Sequence, residues 1–524
     1  MEEVIEPELV VAFVAPTGSN VEEVARATRD RLSYYRYETE LIRLSDYLLE
    51  ERAELSDEKR AQFDTRIEAL QDAGNAFRLE AGRGDALAFV AVNEIREIRL
   101  ARWMALEESE RPALEDAETL SDRPLRRMAY LVWSLKHPDE VDTLRNIYRS
   151  RFVLISLYAP RGQRERHLMT RIAQSRARLR NPDEYRDVAR KLIERDQAEP
   201  RIEDGGEARY GQDVRDTYPK ADFFVDDATP ARLRSSMRRT IDILFGAPFE
   251  TPTKDEFGMY FAQAAALRSA ELGRQVGASI CTEAGSIVSV GTNEVPSPGG
   301  GQYWPEDGDL DHRQYQQSAD ISDQLKQELA AEVLEAVEPF LEGEGAPKTP
   351  AEMYRLLQVT GLRDLIEYGR AVHAELAAIA DAARRGVAVA GTTMYVTTFP
   401  CHHCTRHVVA SGVRRVVYIY PYAKSLAATL HADAISVEPT PSTTAKVRFE
   451  PFLGVAPRQY VNFFTMPQRK TPDGRSVPVE EPNRTPRLVE EERTGSWNVN
   501  AYIMRERYAV VEAEAFLTNK DGET

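Results

Sequence analysis

Four side chains in the second half of the chain have the types and spacing for metal chemistry. His373 and Glu375 stand one residue apart in Val372-His373-Ala374-Glu375, and Cys401 and Cys404 close a C-x-x-C after Pro400. An imidazole and two thiolates supply three of the four ligands of tetrahedral zinc; the fourth position stays open, as in catalytic rather than structural sites. Such a metal lowers the pKa of water toward neutrality. Glu375, two residues past a ligand, can flank the metal without binding it and carry protons. C-x-x-C alone would equally describe a redox pair or half of a structural zinc site. The structural site needs a second C-x-x-C, and Cys281 is the one cysteine left over. A redox pair has no use for the H-A-E segment. His402, His403 and His407 read as helix residues facing solvent rather than as extra ligands.

The elements around these residues must bring them together. His373 opens a helix that ends near Gly386. A strand at Thr393–Thr398 delivers Pro400 to a helix at Cys401–Ser411, and a strand at Arg415–Tyr420 follows. Upstream, a helix at Asp255–Gly273 leads into a hairpin of Val276–Cys281 and Ser286–Gly291, turned at Glu283-Ala284-Gly285. Ile321–Glu342 reads as a helical insertion, Gly343–Pro350 as a linker and Ser425–Ala432 as a short helix.

The first half has a different plan. Glu8–Ala15 is a valine-rich buried strand, Pro16–Asn20 a turn, Val21–Tyr35 an amphipathic helix and Glu38–Leu44 a second strand. Met128–Ser134, Phe152–Tyr158 and Phe223–Val225 add strands, with a helix at Pro138–Tyr148. This alternation predicts a mainly parallel α/β domain up to about residue 245. The turn after the first strand lacks the lysine of G-x-x-x-x-G-K-[ST]. An ordinary βα turn accounts for it, although Gly18 and Ser19 at the helix start could cradle a phosphate. Arg161, Arg164, Arg166, Arg171, Arg176 and Arg178 crowd one run; a solvated helix and a phosphate-contacting lid both fit. Residues 246–252 form a proline-containing joint, and beyond 466 a Pro-, Arg- and Glu-rich tail regains a helix only at Ile503–Leu517.

Bulk properties narrow the function. At 524 residues the chain exceeds one compact core. No apolar run is long enough to span a membrane and the acidic start is unlike a signal peptide, which with three cysteines predicts a cytoplasmic protein without membrane contact. The net charge of −17 disfavours a sequence-independent grip on long nucleic acid and favours a small anionic ligand in a local basic pocket.

Residues 255–465 resemble the cytidine/deoxycytidylate deaminase superfamily, through the H-A-E and P-C-x-x-C motifs and the order of helix, hairpin, helix, strand and helix. The resemblance implies an α/β/α domain with a mixed sheet, Zn2+ on His373, Cys401 and Cys404, and Glu375 as the proton shuttle. It also implies that Asn293, in Gly291-Thr292-Asn293, contacts the substrate's sugar. Phe399 stands where the family's T-L-E-P-C form has a glutamate. Lys424 is a candidate for the substrate phosphates. The whole chain is similar to bacterial anti-phage dCTP deaminases, with matches at Ala15–Asn20, Ser134–Pro138, Phe152–Arg161, Tyr210–Gln212 and Gly291–Tyr303. That likeness, which covers nearly all the chain up to the tail, implies a degenerate P-loop kinase-like regulatory domain at 1–245 and the deaminase domain at 255–465; the tail at 466–524, lacking a core of its own, reads as a loosely ordered wrap or subunit contact. It further implies deamination of dCTP or dCMP that depletes the pyrimidine pool during phage infection, a regulatory nucleotide near Gly18 and Ser19, a homo-oligomer and, in some relatives, restraint by a small RNA. A housekeeping dCMP deaminase is the nearest alternative. A polynucleotide cytosine deaminase is a further one, which the acidic balance disfavours.

Overall fold

The computed structural model describes residues 6–52, 55–114, 119–178, 181–197, 210–317, 320–341, 346–361, 368–422, 425–438, 445–466, 468–489 and 501–517. It is an α/β chain that divides into two compact units, Met1–Pro252 with Leu453–Thr524, and Thr253–Phe452.

In the first unit five strands run parallel: β1 (Leu9–Val14), β2 (Glu38–Arg43), β3 (Met128–Trp133), β4 (Phe152–Tyr158) and β5 (Phe223–Asp226). Their spatial order is β5-β4-β1-β3-β2. β1 lies at the centre, pairing Val11 with both Leu131 and Val153. All six of its residues are buried, as expected of a parallel strand covered on both faces. β2 is at the edge and correspondingly only half-buried. The run between β2 and β3 carried no assignment from sequence. It holds helices at Leu44–Glu51, Asp57–Ala61, Phe63–Glu80 and Ala86–Met104. Ala86–Val92 is buried without interruption, so this first half of the helix shows no polar face and no 3.6-residue period to read.

The second unit carries strands β6 (Gly277–Cys281), β7 (Ile287–Thr292), β8 (Thr393–Thr398), β9 (Arg415–Tyr420), β10 (Ile435–Val437) and β11 (Val447–Pro451). Their order is β10-β11-β9-β8-β6-β7. β6 pairs antiparallel with β7 and β8, whereas β8, β9, β11 and β10 run parallel, so the sheet is mixed as expected. The first helix of this unit spans Lys254–Ala266 and is capped by a reciprocal Thr253–Glu256 box. It stops well short of the expected Gly273. The residues beyond it are drawn off by the segment after β7: Ser269 Oγ donates to Asn293 O, and Ala270 N to Glu294 Oε2.

After β11 the chain rejoins the first unit, where β12 (Gly454–Val455) pairs antiparallel with β5. Residues 453–465, expected with the deaminase domain, thus belong to the first unit. Part of the tail is also anchored there by helix Ala501–Leu517, which buries Tyr502, Ile503, Ala509 and Ala513. Its Glu506 meets fully buried Arg99 at 2.5 Å, and Arg99 also binds Glu8 at 2.7 Å. Tyr130 and Tyr502 each donate to Glu8 at 2.8 Å. A charge buried this deeply is tolerated because it is paired and hydrogen-bonded.

Candidate metal centre

Two helix starts place the metal-binding side chains. His373 is the N-cap of helix Ala374–Arg384, and Cys401 is the N-cap of helix His402–Ala410. Cys404 N donates to Cys401 Sγ at 3.4 Å, so the C-x-x-C turn itself caps the helix. Ser425 Oγ donates to Pro400 O at 2.8 Å and holds the turn from outside. The His373 segment is tied down by Glu294, whose backbone exchanges hydrogen bonds with Val372. Gly291 in β7 lets strand and helix meet closely: a Cβ there would fall 2.1 Å from Ala374 O.

His373 Nδ1 lies 3.4 Å from Cys401 Sγ and 3.4 Å from Cys404 Sγ. A tetrahedral ion at about 2.3 Å from sulfur and about 2.0 Å from nitrogen separates such donors by about 3.5 Å, so the three atoms suit zinc. Among the described residues they are the metal-capable group that stands out, with donor atoms within 4.8 Å of one another. His402, His403 and His407 fall outside it. The donor set, two thiolates and an imidazole, is that of a catalytic zinc.

Mutual contact and burial shift the protonation of all three side chains. A hydrogen bond from Cys404, with His373 nearby, pushes the Cys401 thiol down to about 3. The bond to Cys401 pushes the His373 imidazole up to about 9. Cys404 is held well above its usual range, first by its bond to Cys401 and then by burial. Glu375, in the first helical turn, is buried and touches Cys404. Burial raises its carboxyl, with His373 opposing. A carboxyl raised in this way can both accept and return a proton.

The remaining expected residues are not among the three metal-capable side chains. Asn293 is nearly buried and its amide is taken up by the protein: Oδ1 accepts from Val276 N at 2.7 Å, and Nδ2 donates to Arg274 O at 2.6 Å. In this structure it braces the turn before β6. Lys424 is outside the described residues. Gly18 and Ser19 are in the first unit, at the end of β1. Sequence reading passed over Glu271, a half-buried carboxyl that interacts with His373 and whose Oε2 lacks a partner among the described residues. No spacing relative to the motifs marks it.

Comparison with known proteins bears on this unit. Residues 252–420 match the model of the cytidine and deoxycytidylate deaminase zinc-binding region. The deoxycytidylate deaminase of Enterobacteria phage T2 is 46% identical over 54 residues, which cover 10% of this chain and 29% of that protein. ComE operon protein 2 of Bacillus subtilis (strain 168) is 36% identical over 62 residues, covering 11% and 33%. The chain spans a third or less of the length of these relatives. The dCMP deaminase of cyanophage S-TIM5, solved in complex with dCMP and dUMP, is 18% identical with a TM-score of 0.21, over 37% of this chain and 92% of that one. The matched segment contains His373, Cys401 and Cys404, and their arrangement fits Zn2+. No helix among the described residues is long and apolar enough to cross a membrane.

Proposed function

We propose that the second unit hydrolytically deaminates the cytosine of free deoxycytidine nucleotides, dCTP or dCMP, to the deoxyuridine nucleotides. One observation carries this reading: the buried carboxyl of Glu375 stands beside the His373–Cys401–Cys404 group, in contact with Cys404. The family of the matched segment and the deoxycytidylate deaminases among the relatives support the choice of base and sugar.

His373, Cys401 and Cys404 would hold the zinc. When bound, zinc supplies a Lewis acid that brings the pKa of water toward neutrality. Glu375 takes a proton from the attacking water as oxygen bonds to C4 of cytosine. It passes that proton to N3, then carries another to the departing amino group, so that ammonia leaves and the uracil carbonyl remains. Its burial keeps the carboxyl from being solvated as a free anion, which makes it a stronger base and a ready donor in turn.

The likeness of the whole chain to anti-phage dCTP deaminases extends the reading to depletion of dCTP during infection. In that scheme the enzyme is a cytoplasmic homo-oligomer and the first unit is a P-loop kinase-like regulatory module; its β5-β4-β1-β3-β2 parallel order suits such a fold. The test is a chromatographic assay of dCTP, dCMP and cytidine with the zinc-loaded chain. Glu375→Gln should retain zinc and lose turnover by about 10²–10⁴-fold. Near-normal turnover by that variant, or no deoxyuridine product from the intact chain, overturns the proposal.

A further inference from the structure

The first unit contains a cavity of about 340 Å³ at the carboxyl ends of β1, β2 and β3. The connections from β1 and β4 leave in opposite directions across the sheet, and the crevice outside such a reversal is where open α/β sheets bind ligands. The lining combines polar groups, the Thr17-Gly18-Ser19 turn, Lys136, Arg78 and Arg171, with an apolar wall of Leu48, Phe63, Leu87 and Trp133, and Arg171 stacks on the Phe63 ring at 4.7 Å.

The turn lacks the lysine of a working phosphate loop, yet a lysine reaches it from another strand. Lys136, just past β3, donates to Ala15 O at 2.7 Å. Gly18 sits at φ +100°, and a Cβ there would fall 2.9 Å from Arg164 Cβ, so the turn is held in a glycine-only shape. A carboxylate already occupies its donors. Asp196, nearly fully buried, accepts from Thr17 N at 2.6 Å and from Lys136 Nζ at 2.7 Å. Asp196 is in the last turn of helix Arg186–Gln197, where the helix dipole disfavours negative charge. Its two partners at the turn are what hold it.

Further donors are left over. Arg78 is 1% exposed and spends Nε and Nη2 on Glu140, while its Nη1 has no partner among the described residues. Ser19 Oγ and Ser134 Oγ, also on the cavity wall, are likewise buried without partners. Unsatisfied buried donors of this kind carry a free-energy penalty that an acceptor would remove. Arg66, Arg171 and His167 share this lining, where burial and then Arg171 push the Arg66 guanidinium down and favour the neutral His167 imidazole. The wall does carry acids, with Glu22 paired to Arg43 and Asp46 nearby.

We propose that this cavity is a nucleotide site whose phosphate position is held in this structure by the protein's own Asp196, and that a nucleotide's phosphate enters by displacing Asp196 from Lys136 and Thr17 N–H. The phosphate takes the Lys136 ammonium and the backbone donors of the turn, with Arg78 and Arg171 within the same cavity. The base lies against the apolar wall. This inference rests on the reading of the first unit as a P-loop kinase-like module, to which it adds Asp196 as a built-in competitor, and is independent of the deamination reading.

The test uses the full-length zinc-loaded protein and nucleotides without cytosine, ATP and dTTP, with inorganic tripolyphosphate as the base-free probe, by equilibrium dialysis. At least one nucleotide should bind saturably. Lys136→Met should weaken it on the order of tenfold, and Asp196→Asn should tighten it by a similar factor, because the variant loses the internal competitor and a negative charge. A merely structural ion pair would not move binding in opposite directions. Should Lys136→Met lose zinc or helical signal, Arg171→Gln, on an exposed side chain, takes its place and should also weaken binding. Absence of binding by both the intact chain and Asp196→Asn overturns the proposal, as does a shift of both variants in one direction. Tripolyphosphate binding as tightly as the nucleotides overturns the assignment of the apolar wall to a base.

Discussion

Replacing Gly291 by alanine tests whether the closeness of strand and helix sets the metal geometry. The added Cβ would stand 2.1 Å from Ala374 O and 2.4 Å from Ala378 N, both backbone atoms of the helix that His373 caps. Ordinary contact begins near 3.4 Å, so β7 and the helix must part by about 1.3 Å at Ala374. Backbone cannot swing aside as a flexible side chain would. His373 adjoins Ala374, so its Nδ1 moves with it away from two sulfurs that now lie 3.4 Å off. Metal sites tolerate ligand displacements of about 0.2 Å, several-fold less than the shift imposed. The expected result is a zinc affinity lower by about 10–100-fold, with a stability loss of about 1–3 kcal/mol from overpacking. Competition with a chelator measures the first, thermal unfolding the second, and circular dichroism confirms that the unit remains folded. Gly273→Ala is the control, because a Cβ there meets nothing within 4 Å and its φ is unexceptional. If Gly291→Ala holds zinc as tightly as the control does, the strand–helix contact does not position His373 and the reasoning fails.

The metal-free centre keeps protons on His373, raised to about 9, and on Cys404, raised further, whereas zinc needs neutral imidazole and thiolates. Zinc affinity should therefore climb with pH toward about 9, releasing about two protons per ion; a flat affinity from pH 6 to 8 would contradict the assignment. Cys401→Ser and Cys404→Ser should each lose most bound zinc by metal analysis, and His407→Ala should lose none. Arg99→Met leaves Glu8 and Glu506 as buried carboxylates without their cation, and should lower stability by about 3–5 kcal/mol in denaturant titration. A loss below about 1 kcal/mol would mean that water reaches the pair.

What the sequence disclosed about the site follows from the range over which each requirement acts. A zinc ligand pair on a capped turn needs its residues within a few positions, so His373 with Glu375 and Cys401 with Cys404 are visible as spacings. The strands that carry them, β6 to β9, are legible because each is short and bounded by turns. The tail's helix was legible, but not where it docks, because what anchors it is a side-chain match between Arg99 and Glu506, separated by 407 positions. The start of helix Ala86–Met104 was missed for a different reason: burial on all sides of Ala86–Val92 erases the period that reveals a helix. Lys136 is the instructive case. A search for phosphate chemistry looks for lysine inside the turn after β1 and finds none. In a parallel sheet, however, residues just past the carboxyl ends of neighbouring strands converge on one crevice. Lys136 follows β3, and β3 pairs directly with β1. Once the strand order places β3 beside β1, a lysine at the end of β3 becomes a candidate for the missing cation of the β1 turn. Topology, rather than local spacing, therefore carries that signal.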